Sequence, residues 1–364
     1  MRVGIAGCGG IGLGLAAQLA AAGHEPCLWT PRAGDGGDGG DIGALAQGRL
    51  RSAGLIEGEW PVRLAADAAA LCSEAELLVV AVPANGHRAV IDALLPALRS
   101  GQRVLISSMA SLSALYLHEA AQRRGLDVPV IALASTVLTA RRTAPGEVRV
   151  LARRARLGLS ALPGSAAEGA LALCRSLFGD VFERQASALT TVLSNVNPIS
   201  HGPLALFNWT RIERAEAWPQ YHYLTPHVAA VIERLDAERR ALAAAFSVAL
   251  PPLDQHFARS FGTRSATIAD IAAELHAARG GPPGPTDVQT RFLHEDVPYG
   301  LVFNEALAQV AGLALPATRT VIDAASLVCG VDFRAGNDLI APLGLHRETP
   351  CGLIARLHTP DGAS

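Results

Sequence analysis

Arg2-Val3-Gly4-Ile5-Ala6 reads as a short buried strand, and Gly7-Cys8-Gly9-Gly10-Ile11-Gly12 follows at once. A helical run from Leu13 to Ala22 comes next and is closed by Gly23. The pattern G-x-G-x-x-G is weak by itself, because glycine-rich turns are common. Between a strand and a helix it specifies a βα unit that binds a dinucleotide. Gly7 permits the tight turn, Gly9 lets a pyrophosphate approach the backbone, and Gly12 lets the helix pack close to the strand. Gly10 and Ile11 complete the turn, so free N–H groups and the positive end of the helix dipole face the diphosphate.

The second strand, about Glu25 to Thr30, selects the cofactor. Folds that bind NAD usually end this strand in Asp or Glu, which takes the ribose hydroxyls. Thr30-Pro31-Arg32 stands there instead. A missing carboxylate removes a repulsion, and Arg32 is placed to pair with a 2′-phosphate, although a solvated loop arginine is the alternative. The charge argument favours NADP(H), with NAD(H) as the second choice. Gly34 to Asp41 is a single glycine/aspartate insert without repeated register, and it reads as a flexible loop rather than a calcium site.

Glu76 to Val82 reads as a fully buried strand, closed by Pro83-Ala84-Asn85-Gly86-His87. His87 is expected to cap or orient the following helix rather than to act in catalysis. Arg103 to Ile106 and Pro129 to Leu133 are two further strands. Ser107, Ser108 and Ser135 fall at their ends, where serine is usually a turn former. Gly146 to Val150 and Arg156 to Pro163 suggest antiparallel additions to the same sheet. A helix from about Ala166 to Phe178 and a strand at Val181 to Glu183 complete the unit. The expected class is α/β: a Rossmann-type, doubly wound parallel sheet over residues 1–186.

Strand signals vanish after about residue 187, so an all-helical domain is expected over 187–364. Thr225 and Pro226 open a helix as N-cap and first residue, and Val228, Val231, Ile232 and Leu235 follow at helical spacing. Asp236, Glu238, Arg239 and Arg240 mark a charged face of it. Other helices are expected from Thr267 to Arg279 and from Pro316 to Val328, the latter stopped by Gly330. Gly280 to Pro285 reads as a surface connection, with a lid as the alternative.

Composition removes several classes of function. All 31 basic residues are arginine, so any mechanism that needs a lysine is excluded. A formal charge of -2 argues against a nucleic-acid surface. Six cysteines without a C-x-x-C pair suggest neither zinc nor a disulfide framework, so no metal is expected and the setting is a reducing cytoplasm. No apolar run is long enough to span a bilayer.

The chemistry is concentrated in two distant motifs, Asn197-Pro198-Ile199-Ser200-His201 and Arg291 to Leu301 (Arg-Phe-Leu-His-Glu-Asp-Val-Pro-Tyr-Gly-Leu). A histidine trades protons near neutral pH, a carboxylate can fix its tautomer, and an arginine presents a planar fork to an anion. His201, Asp296 and Arg291 supply these three groups. Spacing alone cannot show that they meet. The pair of motifs, asparagine-x-x-x-histidine then arginine-x-x-x-x-aspartate-valine-proline-tyrosine-glycine-leucine, resembles that of opine dehydrogenases of the octopine/nopaline type, and the similarity spans nearly the whole chain. The segment Leu224 to Arg239 looks like the substrate-domain helix of opine-metallophore dehydrogenases.

The resemblance implies reductive condensation of a 2-oxo acid with an amino group, giving an N-(carboxyalkyl) amino acid. It implies that His201, oriented by Asp296, is the acid/base and that Arg291 binds a substrate carboxylate. It also implies that Pro83 and Ala84 line the nicotinamide ribose, and that Asn197 contacts the nicotinamide or holds His201. Tyr221 and Tyr223, with His222, are second-tier candidates for an amine-binding wall, with plain packing as the equal alternative. His294 is also second-tier; on an extended segment it would share the face of Asp296. Two departures concern the amine: Ser107-Ser108-Met109-Ala110-Ser111 replaces a glycine-rich turn, and Ser135-Thr136 stands where many members have a glutamate. The rivals are a ketopantoate-reductase-like or 2-hydroxyacid dehydrogenase, which relies on a lysine, and a non-catalytic NAD(P) sensor. Small-molecule substrates are the expected partners, with a homodimer possible and neither nucleic acid nor membrane involved.

Overall fold

The computed structural model describes residues 1–31 and 43–358. Arg32 and the Gly34–Asp41 insert lie outside the described residues. The chain divides into two compact units, Met1–Val192 with the C-terminal residues from Arg356, and Leu193–Ala355.

The first unit carries two sheets. The larger contains β1 (Arg2–Ala6), β2 (Glu25–Trp29), β5 (Arg63–Leu64), β6 (Leu77–Val80), β7 (Arg103–Ile106), β8 (Val130–Leu133), β11 (Leu157–Leu162) and β12 (Phe182–Arg184), in the order β12-β11-β8-β7-β6-β1-β2-β5. From β5 to β8 every pairing is parallel. β6 and β8 are apolar and wholly buried, as a sheet covered on both faces requires. β1 lies between β2 and β6, with Ala6 level with Trp29 and Val80, so the order reverses beside the glycine turn. That switch point is where an open α/β sheet binds its ligand. β11 is antiparallel to β8, as the sequence suggests.

The Gly146–Val150 segment departs from expectation. It forms β10 (Glu147–Arg153) of a separate sheet with β3 (Arg49–Gly54), β4 (Gly58–Pro61) and β9 (Leu138–Ala144), in the order β4-β3-β10-β9. β10 pairs parallel with β3 and antiparallel with β9. Leu138, Val148 and Val150 bury their side chains in the same core as Leu13, Leu15 and Leu19 of the helix Gly10–Ala21. That helix is apolar nearly all round, so it needs cover on both sides, and the small sheet supplies the second cover.

The contact boundary falls one short helix later than residue 186. The helix Ala188–Leu193 is tied to the first unit, where Thr191 donates from Oγ1 to Ser160 Oγ at 2.7 Å. At the other end of the chain, Arg356 makes a two-pronged pair with Glu119, Nε–Oε1 2.7 Å and Nη2–Oε2 3.0 Å.

The second unit is helical. The helix Pro226–Ala245 buries Val228, Ile232, Leu235 and Leu242, and Thr225 stands at its N-cap without a side-chain capping bond. Part of its charged face is turned inward, while Arg240 stays exposed. Asp236 and Arg239 are both buried; Asp236 accepts from Arg239, from Arg240 and from the Leu253 amide. Arg239 also donates to the carbonyls of Leu193 and Pro251. Glu238 accepts from the amides of Ala317 and Thr318 at the start of the helix Pro316–Cys329. Each charge is held by hydrogen bonds, the condition for burying it. The helix Ile268–Arg279 begins with Thr267 accepting from the Asp270 amide, and Gly330 ends Pro316–Cys329 at φ +64°.

Candidate active site

His201 stands in the helix Asn197–Leu206, which starts with Pro198 in its first turn. Asp296 immediately precedes a one-turn π-helix, Val297–Leu301, between the short helix Arg291–His294 and the helix Val302–Ala311. π-turns are rare and recur at functional sites. The two motifs meet tightly: Gly300 lies against the Pro198 ring, where a Cβ would collide, and Gly202 faces Leu301 and Val321.

This docking brings together the residues that sequence could only pair by resemblance. His201 Nδ1 is 2.8 Å from Asp296 Oδ2, with side chains 15% and 10% exposed. A carboxylate only accepts, so Nδ1 carries the proton and Nε2 is left as the atom that exchanges one. The Phe292 ring stacks on the imidazole, centroids 3.8 Å apart and planes within 1°. The ring is thereby fixed in its own plane by Asp296 and in tilt by Phe292.

Arg291 opens the same short helix and is exposed. Among the described residues no carboxylate pairs with it. Asn197 lies one turn before His201 and makes no side-chain bond to it. His294 is one turn after Arg291 on a helix, not on an extended strand, so alternation does not bring it to the face of Asp296. Its ring meets the edge of Phe333, centroids 5.4 Å apart.

Three further residues escape the sequence reading. Phe292 sits inside the motif but has no chemical signal of its own. Asn337 donates to the Pro298 carbonyl at 2.8 Å, and Tyr299 donates to Asp338 Oδ1 at 3.1 Å, so this pair clamps the π-turn that carries Asp296. Nothing in the sequence around Asn337 marks that role.

The Gly280–Pro285 segment is pinned rather than free. Gly284 donates to the Trp218 carbonyl at 2.7 Å, Trp218 Nε1 to the Pro285 carbonyl at 2.9 Å, and Gln220 Nε2 to the Pro283 carbonyl at 2.9 Å. Tyr221 packs against Gly281. Tyr223 lies under the Arg211 guanidinium at 4.0 Å and meets the edges of Trp218 and His222.

In the first unit the glycine turn fits a diphosphate. Gly7 has φ +133° and a Cβ there would strike the Ala81 carbonyl, while a Cβ on Gly12 would strike the Gly7 carbonyl. Nothing lies within 4 Å of a Cβ on Gly9, which is the open side of the cradle. The Leu13 amide closes the first helical turn on Gly9, so the amides ahead of it have no intrahelical acceptor, and no acidic residue stands in that turn. Gly10 has a second reason to lack a side chain, because the Ala140 carbonyl of β9 occupies the place. Ile11 packs on the core, and Thr30 is buried at the end of β2. Pro83 is exposed and Ala84 buried in the turn after β6, beside the cradle. His87 opens the next helix; its Nδ1 is 3.0 Å from Ser113 Oγ, and burial pushes its pKa down to about 4, so it is neutral.

The turn after β7 holds three non-glycine residues in the left-handed region: Ser108 (φ +66°), Ser111 (φ +48°) and Leu112 (φ +53°). Glycine is the residue that adopts this backbone without strain. The shape explains why a glycine-rich turn suits the position.

A glycine turn at the switch point and a His201–Asp296 pair stand on a Rossmann unit followed by a helical unit, and comparison with known proteins makes this chain an NAD(P)-dependent oxidoreductase. Residues 184–329 match the family model described as NAD/NADP octopine/nopaline dehydrogenase, alpha-helical domain, and residues 3–164 match that of ketopantoate reductase PanE/ApbA. An opine dehydrogenase of Arthrobacter sp. (strain 1C) is 29% identical over 351 residues, 96% of each chain. Octopine dehydrogenase solved with NADH and L-arginine has the same fold at TM-score 0.79 and 19% identity, over 100% of this chain and 99% of that one. A yersinopine dehydrogenase solved with NADP+ follows at TM-score 0.70 and 19% identity, over 95% and 97%. The chain is thus similar to opine dehydrogenases over nearly its whole length, and its helical unit matches the helical-domain model of that family.

Proposed function

We propose that this chain reductively condenses a 2-oxo acid with the amino group of an amine or amino acid, with His201, Asp296 and Arg291 in the roles the site suggests. The observation that carries the assignment of roles is the 2.8 Å contact between His201 Nδ1 and Asp296, which leaves Nε2 as the acid/base. His201 takes the proton released when the amine nitrogen bonds to the oxo carbon. It returns that proton to the oxo oxygen, making a hydroxyl, and a second transfer from the nitrogen to that hydroxyl releases water and forms the imine, whose nitrogen takes a proton from solvent when its carbon is reduced. Asp296 stabilises the imidazolium between the two transfers. Arg291, exposed and without a carboxylate partner, holds the acid's carboxylate. Reduced nicotinamide, when bound at the Gly7–Gly12 cradle, supplies the hydride that reduces the imine carbon. The pyruvate and L-arginine held by octopine dehydrogenase fit this pairing of an oxo acid with an amine.

NADPH is placed ahead of NADH because Thr30 and Pro31 end β2 without a carboxylate that would repel a 2′-phosphate. Pro83, Ala84 and Asn197 are proposed as nicotinamide-side contacts, and Tyr221, Tyr223 and His294 as outer substrate contacts. No helix of the described residues is long and apolar enough to cross a membrane. A cytoplasmic homodimer is part of the proposal, and Leu327, 84% exposed beside Val328 and Val331, is the surface that suggests one.

The lysine-dependent rival has no residue to use, since the chain contains no lysine. The experiment is oxidation of NADPH and NADH with 2-oxo acids and amines, separately and together, with products read by mass spectrometry. Turnover that needs both substrates and yields the secondary amine is expected. Turnover with the oxo acid alone would instead make the chain a hydroxyacid dehydrogenase, and cofactor binding without turnover would make it a sensor.

A further inference from the structure

Strand β9 crosses the first turn of the helix Gly10–Ala21, and its alternation decides which side chains face that helix. Leu138, Ala140 and Arg142 lie on the more buried side, and Thr139, Arg141 and Thr143 are exposed. The contacts agree. Leu138 and Ala140 fill the space where Gly14 would carry a side chain, at 2.7 and 3.0 Å from an ideal Cβ. The backbone of Ala140 and Arg141 fills the corresponding space at Gly10. The next inward residue along β9 is Arg142, which the strand carries past Gly10 toward the glycine turn itself.

Electrostatics give an independent sign of the same place. Cys8, between Gly7 and Gly9, has its thiol pushed up to about 12 by burial, and the positive charge that opposes this push is Arg142. Among the described residues the Arg142 side chain has neither a carboxylate nor a hydrogen-bond partner. Arg141 of β9 and Arg149 of β10 also lack an acidic partner among the described residues, but they are exposed, whereas Arg142 is half-buried. A half-buried cation next to the positive end of a helix is repelled by it, and an anion between them turns that repulsion into attraction.

We propose that Arg142 is a ligand of the cofactor diphosphate, closing the Gly7–Gly12 cradle from the side of the small sheet. This rests on the reading of that cradle as the NAD(P) site. The diphosphate is the group in question because Cys8 and Gly10 place Arg142 at the glycine turn, whereas a 2′-phosphate lies at the end of β2 beside Thr30. It gives the second sheet a function besides covering the helix: it carries a charge to the phosphates.

The test is the dissociation constant of NADH and of NADPH, by quenching of intrinsic tryptophan fluorescence, for the full chain and for Arg142→Gln and Arg142→Lys. Arg149→Gln, on the exposed side of β10, is the control. Loss of a charge-assisted hydrogen bond to phosphate weakens binding about ten- to a hundred-fold. The expected result is a loss of that size for Arg142→Gln with both cofactors alike, partial recovery in Arg142→Lys, and no change in Arg149→Gln. Circular dichroism of each variant checks the fold. If the wild-type chain binds both cofactors and Arg142→Gln binds them equally well, the assignment is overturned while the cradle stands. A loss confined to NADPH overturns it in favour of the 2′-phosphate. A wild-type chain that binds neither cofactor removes the cradle reading, and this proposal with it.

Discussion

The glycine turn proposed as the cofactor cradle and the His201–Asp296 pair proposed as the acid/base are built by opposite strategies. The cradle is six consecutive residues whose essential property is absent side chains: Gly7 bends, Gly9 stays open, and Gly12 touches the Gly7 carbonyl. The acid/base pair joins residues 95 positions apart, and everything about it depends on side chains in contact: the Pro198 ring on Gly300, Phe292 on His201, Asn337 on the Pro298 carbonyl. A local device survives as long as its strand and helix form. A long-range device requires the whole helical unit to be packed. The two should therefore fail differently under substitution.

The largest expected effect is in the pair. His201→Ala removes the proposed proton carrier, and turnover should fall by about 10²–10⁴-fold with the dissociation constant of NADPH unchanged. Arg291→Ala should leave turnover at saturation nearly intact and raise the Michaelis constant of the oxo acid about ten- to a hundred-fold, the loss of one charged contact. Steady-state kinetics for both substrates and the cofactor separates the roles. Full turnover of oxo acid and amine by His201→Ala would remove the acid/base assignment. A raised constant for NADPH rather than the oxo acid would move Arg291 from carboxylate to phosphate.

A smaller effect is expected in the first unit, where His87 is fully buried and neutral. Its pKa falls from 6.5 to about 4 through loss of solvation, partly offset by the Val82 backbone. Above pH 6.5 neither the folded nor the unfolded chain protonates it. Between about 6.5 and 4 the unfolded chain binds the proton first, so stability falls as the pH falls through that window. A shift of this size corresponds to about 3 kcal/mol. His118 is shifted in the same direction, also chiefly by burial, and adds to the slope. In His87→Gln part of the slope should disappear, so denaturant midpoints of wild type and variant should converge or cross on acidification. Parallel curves would show that His87 is not the group responsible.

The contrast between the two regions also explains what could be read from the chain. The cradle was legible because G-x-G-x-x-G, a preceding strand and a following helix are all local, and the parallel strands announce themselves as apolar runs. The Asn197–His201 and Arg291–Leu301 motifs were legible as strings, but their meeting followed only from the family resemblance, because no spacing rule links residues on different helices. Phe292 was invisible for the same reason: a phenylalanine between Arg291 and Leu293 reads as core until the imidazole beneath it is placed. The small sheet was missed because its strands 49–61 and 138–153 are polar on one face and pair across a long gap in sequence. Asp236 and Arg239 were read only as part of a charged face, and only the carbonyls of Leu193 and Pro251 reveal why they are buried.

The smallest effect sharpens the comparison most, since it concerns a turn beside the cradle that lacks glycines. Ser108, Ser111 and Leu112 all have positive φ in the turn after β7, and each such residue costs about 1–2 kcal/mol relative to an unstrained backbone. Met109 between them is buried and donates its amide to the Leu133 carbonyl at 2.8 Å, and that contact holds the turn in place. Ser107, at its start, has a buried hydroxyl without a hydrogen-bond partner among the described residues. Strain kept at the carboxyl edge of the sheet, where ligands bind, is tolerated when the site needs that shape. Ser108→Gly relieves one strained residue but frees the unfolded chain, so a net stabilisation of about 0.5–1 kcal/mol is expected from denaturant unfolding. If the variant is more stable and equally active, the serine is a sequence accident on a glycine-shaped turn. If it is more stable and slower, with the amine's Michaelis constant raised, the Ser108 side chain serves the substrate, and the turn joins the long-range device rather than the local one.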